Sequence, residues 1–266
     1  MNNIILLEKK HKKTIDYFFT RFPVTSLYVY KNLTEYGVEN NLEKQQADYY
    51  GYVKNNKLLA LCAFHNAGIA ILASPSTYSN YFYEIIEQKN LPFLLTFVNS
   101  IPYDYKDLII KNECFMIYKG NKNLPVYSLK SENIINKNEI IELKSLYEQE
   151  YWDYIPDQTH YDEFRRAVNN KKQENCIVSY TINNKTAGIG FIETYSKKIS
   201  VLGSIYVKKE FRGQKIGEKI TLKLINLSLE KNLIPALSVD KVNIHAYSLY
   251  KKLGFKEISE LCLLQL

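Results

Sequence analysis

Ile205-Tyr206-Val207-Lys208-Lys209-Glu210-Phe211-Arg212-Gly213-Gln214-Lys215-Ile216-Gly217 carries the decisive signal in this chain. An apolar stretch ends at Val207, a polar turn follows, and a long amphipathic helix is expected over about 214–230, with Ile216, Ile220, Leu224 and Leu227 on one face. A strand that turns this way into a helix leaves backbone N–H groups unpaired at the helix start. The positive end of the helix dipole stands behind them. Such a turn suits a pyrophosphate. Gly213 and Gly217 would let the backbone approach it, and Arg212 and Lys215 would offset its charge. The chain has four arginines among 35 basic residues, so a guanidinium at this turn is a selective choice. Two glycines alone fit a plain polar turn equally well, and the neighbouring sequence has to decide.

Downstream, residues 236–239 read as a strand after Pro235. A short helix over 244–253 follows, with Gly254 as its C-cap, and then a last strand over 255–266. Upstream, residues 176–182 and 186–195 flank Asn183-Asn184 as a hairpin, and 199–207 is the strand that enters the turn. Earlier still come a short strand at 126–129 and helices at 137–151 and 159–168. The first half repeats this order without an opening strand. It has helices at 12–20 and 24–36, a hairpin at 49–54 and 58–64, a strand at 69–73 and a helix at 78–88. A strand at 93–98, a helix at 103–110 and a strand at 114–118 complete it. The fold class is therefore α/β, in the α+β sense of two tandem units. Each unit has a mixed, mostly antiparallel central sheet flanked by helices. The units span 1–122 and 126–266.

The 266 residues suit two domains of ordinary size. A net charge of +7 is spread evenly. Residues 1–125 hold 14 basic against 11 acidic side chains, and residues 126–266 hold 21 against 17. No basic block points to nucleic acid. No apolar run approaches membrane length, so a cytoplasmic protein is expected. Cys62, Cys114, Cys176 and Cys262 lie apart in apolar stretches, which suits buried thiols, and the four histidines show no ligand spacing. No metal is expected.

Asn243-Ile244-His245-Ala246-Tyr247-Ser248-Leu249-Tyr250-Lys251-Lys252-Leu253-Gly254-Phe255 follows the strand at 236–239. Together with the Arg212–Gly217 turn, in this order, it resembles the signatures of the GNAT acyltransferase superfamily. Residues 126–266 carry that resemblance. The arrangement with a diverged first half is similar to a bacterial subgroup of two-domain GNAT proteins. One departure is Lys215, which stands where the signature has its first glycine. A negative φ would make it harmless, whereas a positive φ would lower stability and loosen the loop.

The resemblance implies an N-acyltransferase, an acetyltransferase by preference, that moves an acyl group from acetyl-CoA or another acyl-CoA to an amine by direct attack. Donor contacts would fall to Ile205, Tyr206 and Val207, to Arg212, Gly213, Gln214, Lys215, Ile216 and Gly217, and to Asn243 and Tyr250. Tyr250 would protonate the leaving thiolate, as a phenol with an ordinary pKa of about 10 can. Glu193, at the end of its strand, would be the base, and Glu210 is a weaker candidate. The acceptor, a small-molecule or peptide amine, would meet residues 147–157, where aromatic and acidic side chains alternate. Ser74-Pro75-Ser76-Thr77, the corresponding turn of the first half, lacks glycines and cations, and Pro75 removes a donor. That half would bind no CoA and would cover the sheet or wall the acceptor cleft. A non-catalytic acyl-CoA sensor and a tandem transferase using aminoacyl-tRNA are the alternatives. Homo-oligomerisation stays open.

Overall fold

An apolar run such as Leu58-Leu59-Ala60-Leu61-Cys62-Ala63-Phe64 can satisfy both faces only inside a sheet covered on two sides. In the computed structural model, which describes residues 3–121, 137–151 and 176–266, this run forms β3 (Lys57–His65) and is buried throughout. Leu61 and Ala63 pack against Ile15, Phe18 and Phe19 of α1 (Lys12–Arg21) on one face. Ala60, Cys62 and Phe64 pack against Phe82 and Ile86 of α3 (Ser76–Lys89) on the other. Asn55 and Asn56, both at positive φ, make the hairpin turn that joins β3 to β2 (Ala47–Lys54).

The remaining strands are β1 (Ile4–Leu6), β4 (Ile69–Ala73), β5 (Phe93–Phe97), β6 (Ile109–Tyr118), β7 (Ile177–Ile182), β8 (Lys185–Tyr195), β9 (Ile199–Val207), β10 (Ile234–Val239) and β11 (Phe255–Gln265). All eleven form one sheet in the order β1-β2-β3-β4-β5-β11-β6-β10-β9-β8-β7. Pairing is antiparallel except for β4 with β5 and β9 with β10. From β2 to β7 the order is a palindrome about the β11–β6 pair. The last strand of each half has crossed into the other: β11 lies between β5 and β6, and β6 lies between β11 and β10.

Helices cover both faces. Alongside α1 and α3 stand α2 (Leu27–Tyr36), α4 (Lys137–Tyr151), α5 (Ile216–Glu230) and α6 (Ile244–Lys252). Ile216, Ile220 and Leu224 of α5 are buried against the second half's sheet, each contributing about 2 kcal/mol by area. On the opposite face Ile140 and Leu143 of α4 meet Ile189, Phe191 and Tyr206. Leu27 of α2 reaches across the join to Ile199, Val201 and Ala236 of the second half.

Three expectations change. An opening strand of the first half does exist, β1, paired with β2. The segment 103–110 holds only a 3-10 helix (Tyr103–Leu108), and β6 starts at Ile109, earlier than expected, because β11 pairs with it along its length. Helix α5 begins at Ile216, with Lys215 at its N-cap. The strand expected at 126–129, the helix at 159–168 and the 122/126 boundary lie outside the described residues. Cys62, Cys114 and Cys262 are buried free thiols, and Cys176 is half-buried. Among the described residues no helix is long and apolar enough to cross a membrane. No three His, Cys, Asp or Glu side chains among them come together as a metal would require.

Candidate active site

Where β9 and β10 run parallel, their register extends only over Ile199–Ile234, Ser200–Pro235 and Val201–Ala236. Beyond Val201, β9 keeps its partners on β8 through Val207, and β10 keeps its partners on β6 through Val239. The two strands thus part and leave an edge of backbone on each side of a slot, which suits an extended amide-bearing chain. Ile205, Tyr206 and Val207 all lie on the parted portion of β9. At its entry φ of Ser204 is +47°, a conformation rare for a non-glycine residue, and the β8–β9 register shifts on either side of Gly203.

The slot's outer end meets the turn into α5. Gly213 has φ +80°, and a Cβ built there would meet nothing within 4 Å, so its peptide faces open space. A Cβ on Gly217 would stand 3.8 Å from Val207 Cγ2 and 3.9 Å from Leu249 Cδ2, so β9, α5 and α6 converge on it. Lys215 has φ +59°, the positive value that was expected to strain the loop. Gln214 and Lys215 are exposed, and Ile216 is buried. Arg212 Nε donates to Val207 O (3.0 Å), and its Nη2 donates to both carboxylate oxygens of Glu150 on α4 (2.8 and 3.0 Å). Tyr206 Oη also donates to Glu150 (3.1 Å). The turn therefore presents an open glycine backbone, while its guanidinium is held by a carboxylate of the helix opposite.

Asn243 caps α6, its Oδ1 accepting from Ala246 N at 3.2 Å. Tyr250, on the same helix, is buried with its ring 6.0 Å from that of Phe255. It packs in the apolar cluster beneath the slot. Gly254 leaves the helix at φ +101°.

On the inner side of the slot is a cavity of about 310 Å³. Glu193 lines it from β8. Gly203 and Ser204 line it from β9, Lys144, Tyr147 and Glu148 from α4, and Tyr28 and Glu113 from the first half. Glu193 Oε1 accepts from the Ser204 hydroxyl, and Ser204 Oγ accepts from Lys144 Nζ (2.5 Å). Lys144 Nζ also stands 3.2 Å from Glu148 Oε1 and 4.0 Å from Glu193 Oε1. The Glu193 carboxylate lies so close to Gly203 that a Cβ there would come within 2.3 Å of it. Burial, together with the Glu193 and Glu113 carboxylates, pushes the Tyr28 phenol well above its ordinary range and keeps it protonated.

Of the residues expected from sequence, the fold brings Glu193, Tyr147 and Glu148 to this cavity. Arg212, Gly213 and Gly217 lie at the slot's far end. Tyr250 does not line the cavity, and Glu210 is exposed on a 3-10 turn. Residues 152–157 of the expected acceptor stretch lie outside the described residues. Sequence reasoning missed Lys144, Ser204, Tyr28 and Glu113. Only Lys144 had a local signal, its i,i+4 spacing from Glu148.

In the first half the corresponding strands also part, after Ile71 and Leu95. There side chains bridge the gap: Thr96 Oγ1 donates to Leu72 O (3.0 Å) and Ser100 Oγ to Ser74 O (2.6 Å). Pro75 occupies the N-cap of α3.

Residues 142–263 match the family model described as an acetyltransferase (GNAT) domain. Thialysine N-epsilon-acetyltransferase of Sus scrofa is 37% identical over 90 residues, which is 33% of this chain and 49% of that protein. The chain thus spans about half the length of the curated relatives it matches. A GNAT-family acetyltransferase from Colwellia psychrerythraea superimposes with a TM-score of 0.55 at 15% identity, covering 98% of both chains. A tandem GNAT protein from the clavulanic acid biosynthesis pathway does so with 0.52 at 10% identity, covering 98% of this chain and 96% of that one. Residues 142–263 thus match a GNAT acetyltransferase domain, and over nearly its whole length the chain shares the fold of these GNAT structures.

Proposed function

We propose that this chain transfers an acetyl group from acetyl-CoA to an amine by direct attack in a ternary complex. The reading rests above all on the parting of β9 and β10 beside a cavity that holds Glu193. The backbone of Ile205, Tyr206 and Val207 would receive the pantetheine arm, and Asn243 one of its amides. The turn Arg212, Gly213, Gln214, Lys215, Ile216 and Gly217 would receive the pyrophosphate. In the cavity Glu193 would take the proton of the acceptor amine, directly or through Ser204, so that the nitrogen lone pair can attack. Tyr250 would protonate the departing thiolate. Of the three carboxylates lining the cavity, Glu113 pairs with Lys111 (3.1 Å) and Glu148 with Lys144 (3.2 Å); Glu193, with the rings of Tyr28 and Tyr147, favours a cationic amine as acceptor.

The chain would then be two GNAT-like units, residues 1–122 and 126–266, of which only the second takes a donor. The bridged gap of the first supports that division. Its contribution would be a wall of the acceptor cavity through Tyr28 and Glu113.

One observation favours a second reading, a binding module that senses acyl-CoA without turnover. Arg212 is paired with Glu150, so a donor pyrophosphate has to compete with that carboxylate for the guanidinium. Calorimetric titration with acetyl-CoA, followed by turnover against a panel of amines, decides between them. Binding with turnover that falls in Glu193→Gln supports the transferase. Binding without turnover of any amine supports the sensor, and absence of binding overturns both.

A further inference from the structure

Lys144 occupies the place where an acceptor amine would be expected. Its ammonium is largely withdrawn from solvent, with 17% of the side chain exposed. It lies 5.0 Å from the centroid of the Tyr147 ring. It donates to Ser204 Oγ at 2.5 Å, and the Ser204 hydroxyl in turn donates to Glu193 Oε1. Nitrogen, hydroxyl and carboxylate thus form a continuous proton path. Its middle member, Ser204, stands on the portion of β9 that has parted from β10. A substrate amine would need this same path, and the chain's own lysine is already placed at its head.

We propose that Lys144 is acetylated in cis by the donor held between β9 and β10 of the same chain. The inference rests on the donor site proposed above. The ammonium proton passes through Ser204 to Glu193, and the freed lone pair of Nζ forms the N–C bond to the thioester carbonyl carbon. The C–S bond breaks with its electron pair going to sulfur, the nitrogen gives up its second proton, and the thiolate takes up one proton to leave as CoA thiol, while the proton first passed to Glu193 is released to solvent. The products are N-ε-acetyl-Lys144 and free CoA. Holding the nitrogen against its base makes the reaction effectively unimolecular, whereas surface lysines must meet the donor from solution. The product lacks the ammonium that now faces Glu148 and Glu193, so the modification would leave the acceptor cavity more negative.

The test uses the full chain, isotope-labelled acetyl-CoA and no acceptor, with donor binding measured calorimetrically on the same sample. Peptide mapping before and after incubation should find acetyl on Lys144 ahead of every other lysine. The rate per molecule should not change with protein concentration. Ser204→Ala and Glu193→Gln should slow labelling of Lys144 at least tenfold while acetyl-CoA binding stays within about threefold, because a positioned base contributes 10²–10⁴-fold. Lys144→Arg should remove the site without raising label elsewhere. Donor binding with label spread over exposed lysines, or with Lys144 labelling that rises with protein concentration, would overturn the proposal and leave the donor site standing. Absence of donor binding would remove both.

Discussion

Lys215 offers a sharp test of the donor turn, because strain and charge sit on one residue and two substitutions separate them. Its φ of +59° is left-handed, which a residue with a Cβ adopts at a cost of about 1–2 kcal/mol. Lys215→Gly relieves that cost but adds about 0.4–1 kcal/mol of unfolded-chain entropy. The net expectation is about 1 kcal/mol of added stability. For a chain of this size that raises Tm by about 2–4 °C. Lys215→Ala keeps the Cβ and the strain, so its Tm should stay near that of the parent. Affinity follows a different rule. A donor that binds this same left-handed turn leaves the backbone unchanged, so the strain cancels from its affinity. What both variants lose is one exposed cation, a change of about 0.5–1 kcal/mol at most, or twofold to fivefold weaker acetyl-CoA binding. The deficit should shrink in high salt. Differential scanning calorimetry and titration calorimetry on the three proteins read both quantities. A Gly variant no more stable than the Ala variant, or one that binds the donor more tightly than the parent, would refute the reasoning.

Gly203→Ala should push the Glu193 carboxylate away from Ser204 and lower kcat at least tenfold with a Tm change under about 2 °C, because the clash falls on the movable end of a side chain. Glu150→Gln should weaken the hold on Arg212 and tighten acetyl-CoA binding by about twofold to fivefold, read by calorimetry. Tighter binding in Glu150→Gln but not in Glu150→Gln/Arg212→Ala would assign the gain to the guanidinium. Burial lowers the pKa of His65 below its ordinary 6.5, so between those two values the unfolded chain carries a proton that the native chain does not. Stability should therefore fall as pH drops through that window, and a Tm-against-pH series should show a shallower fall in His65→Leu. Fragments cut between β6 and α4 should each aggregate or stay unfolded when expressed alone and recover native circular dichroism when co-expressed, since each lacks a strand lying between two of its own.

The exchange of β6 and β11 also explains what the sequence could and could not reveal. The slot-forming strands, the turn at Arg212–Gly217 and the Asn243–Phe255 helix are local features. Hydrophobic periodicity and turn residues specify them within a short window, and they were legible. Lys144, Ser204, Tyr28 and Glu113 acquire their relation only when four elements meet, and no spacing along the chain encodes that meeting. Ser204 also takes a backbone conformation that serine rarely adopts, which only the surrounding sheet can impose.

The diverged first half illustrates the same limit from the other direction. Its turn at Ser74–Thr77 already shows in sequence that glycines and cations are missing there, yet nothing local announced that β6 would complete the sheet of the second half. Removing that half would strip β10 and β11 of their shared neighbour and leave two strand edges unpaired. On the reading proposed above, a unit that takes no donor would be kept for its strand and for the wall it gives the cavity. Its sequence is then free to drift at Ser74–Thr77 while remaining constrained along Cys114–Tyr118, where every residue is buried between the two halves.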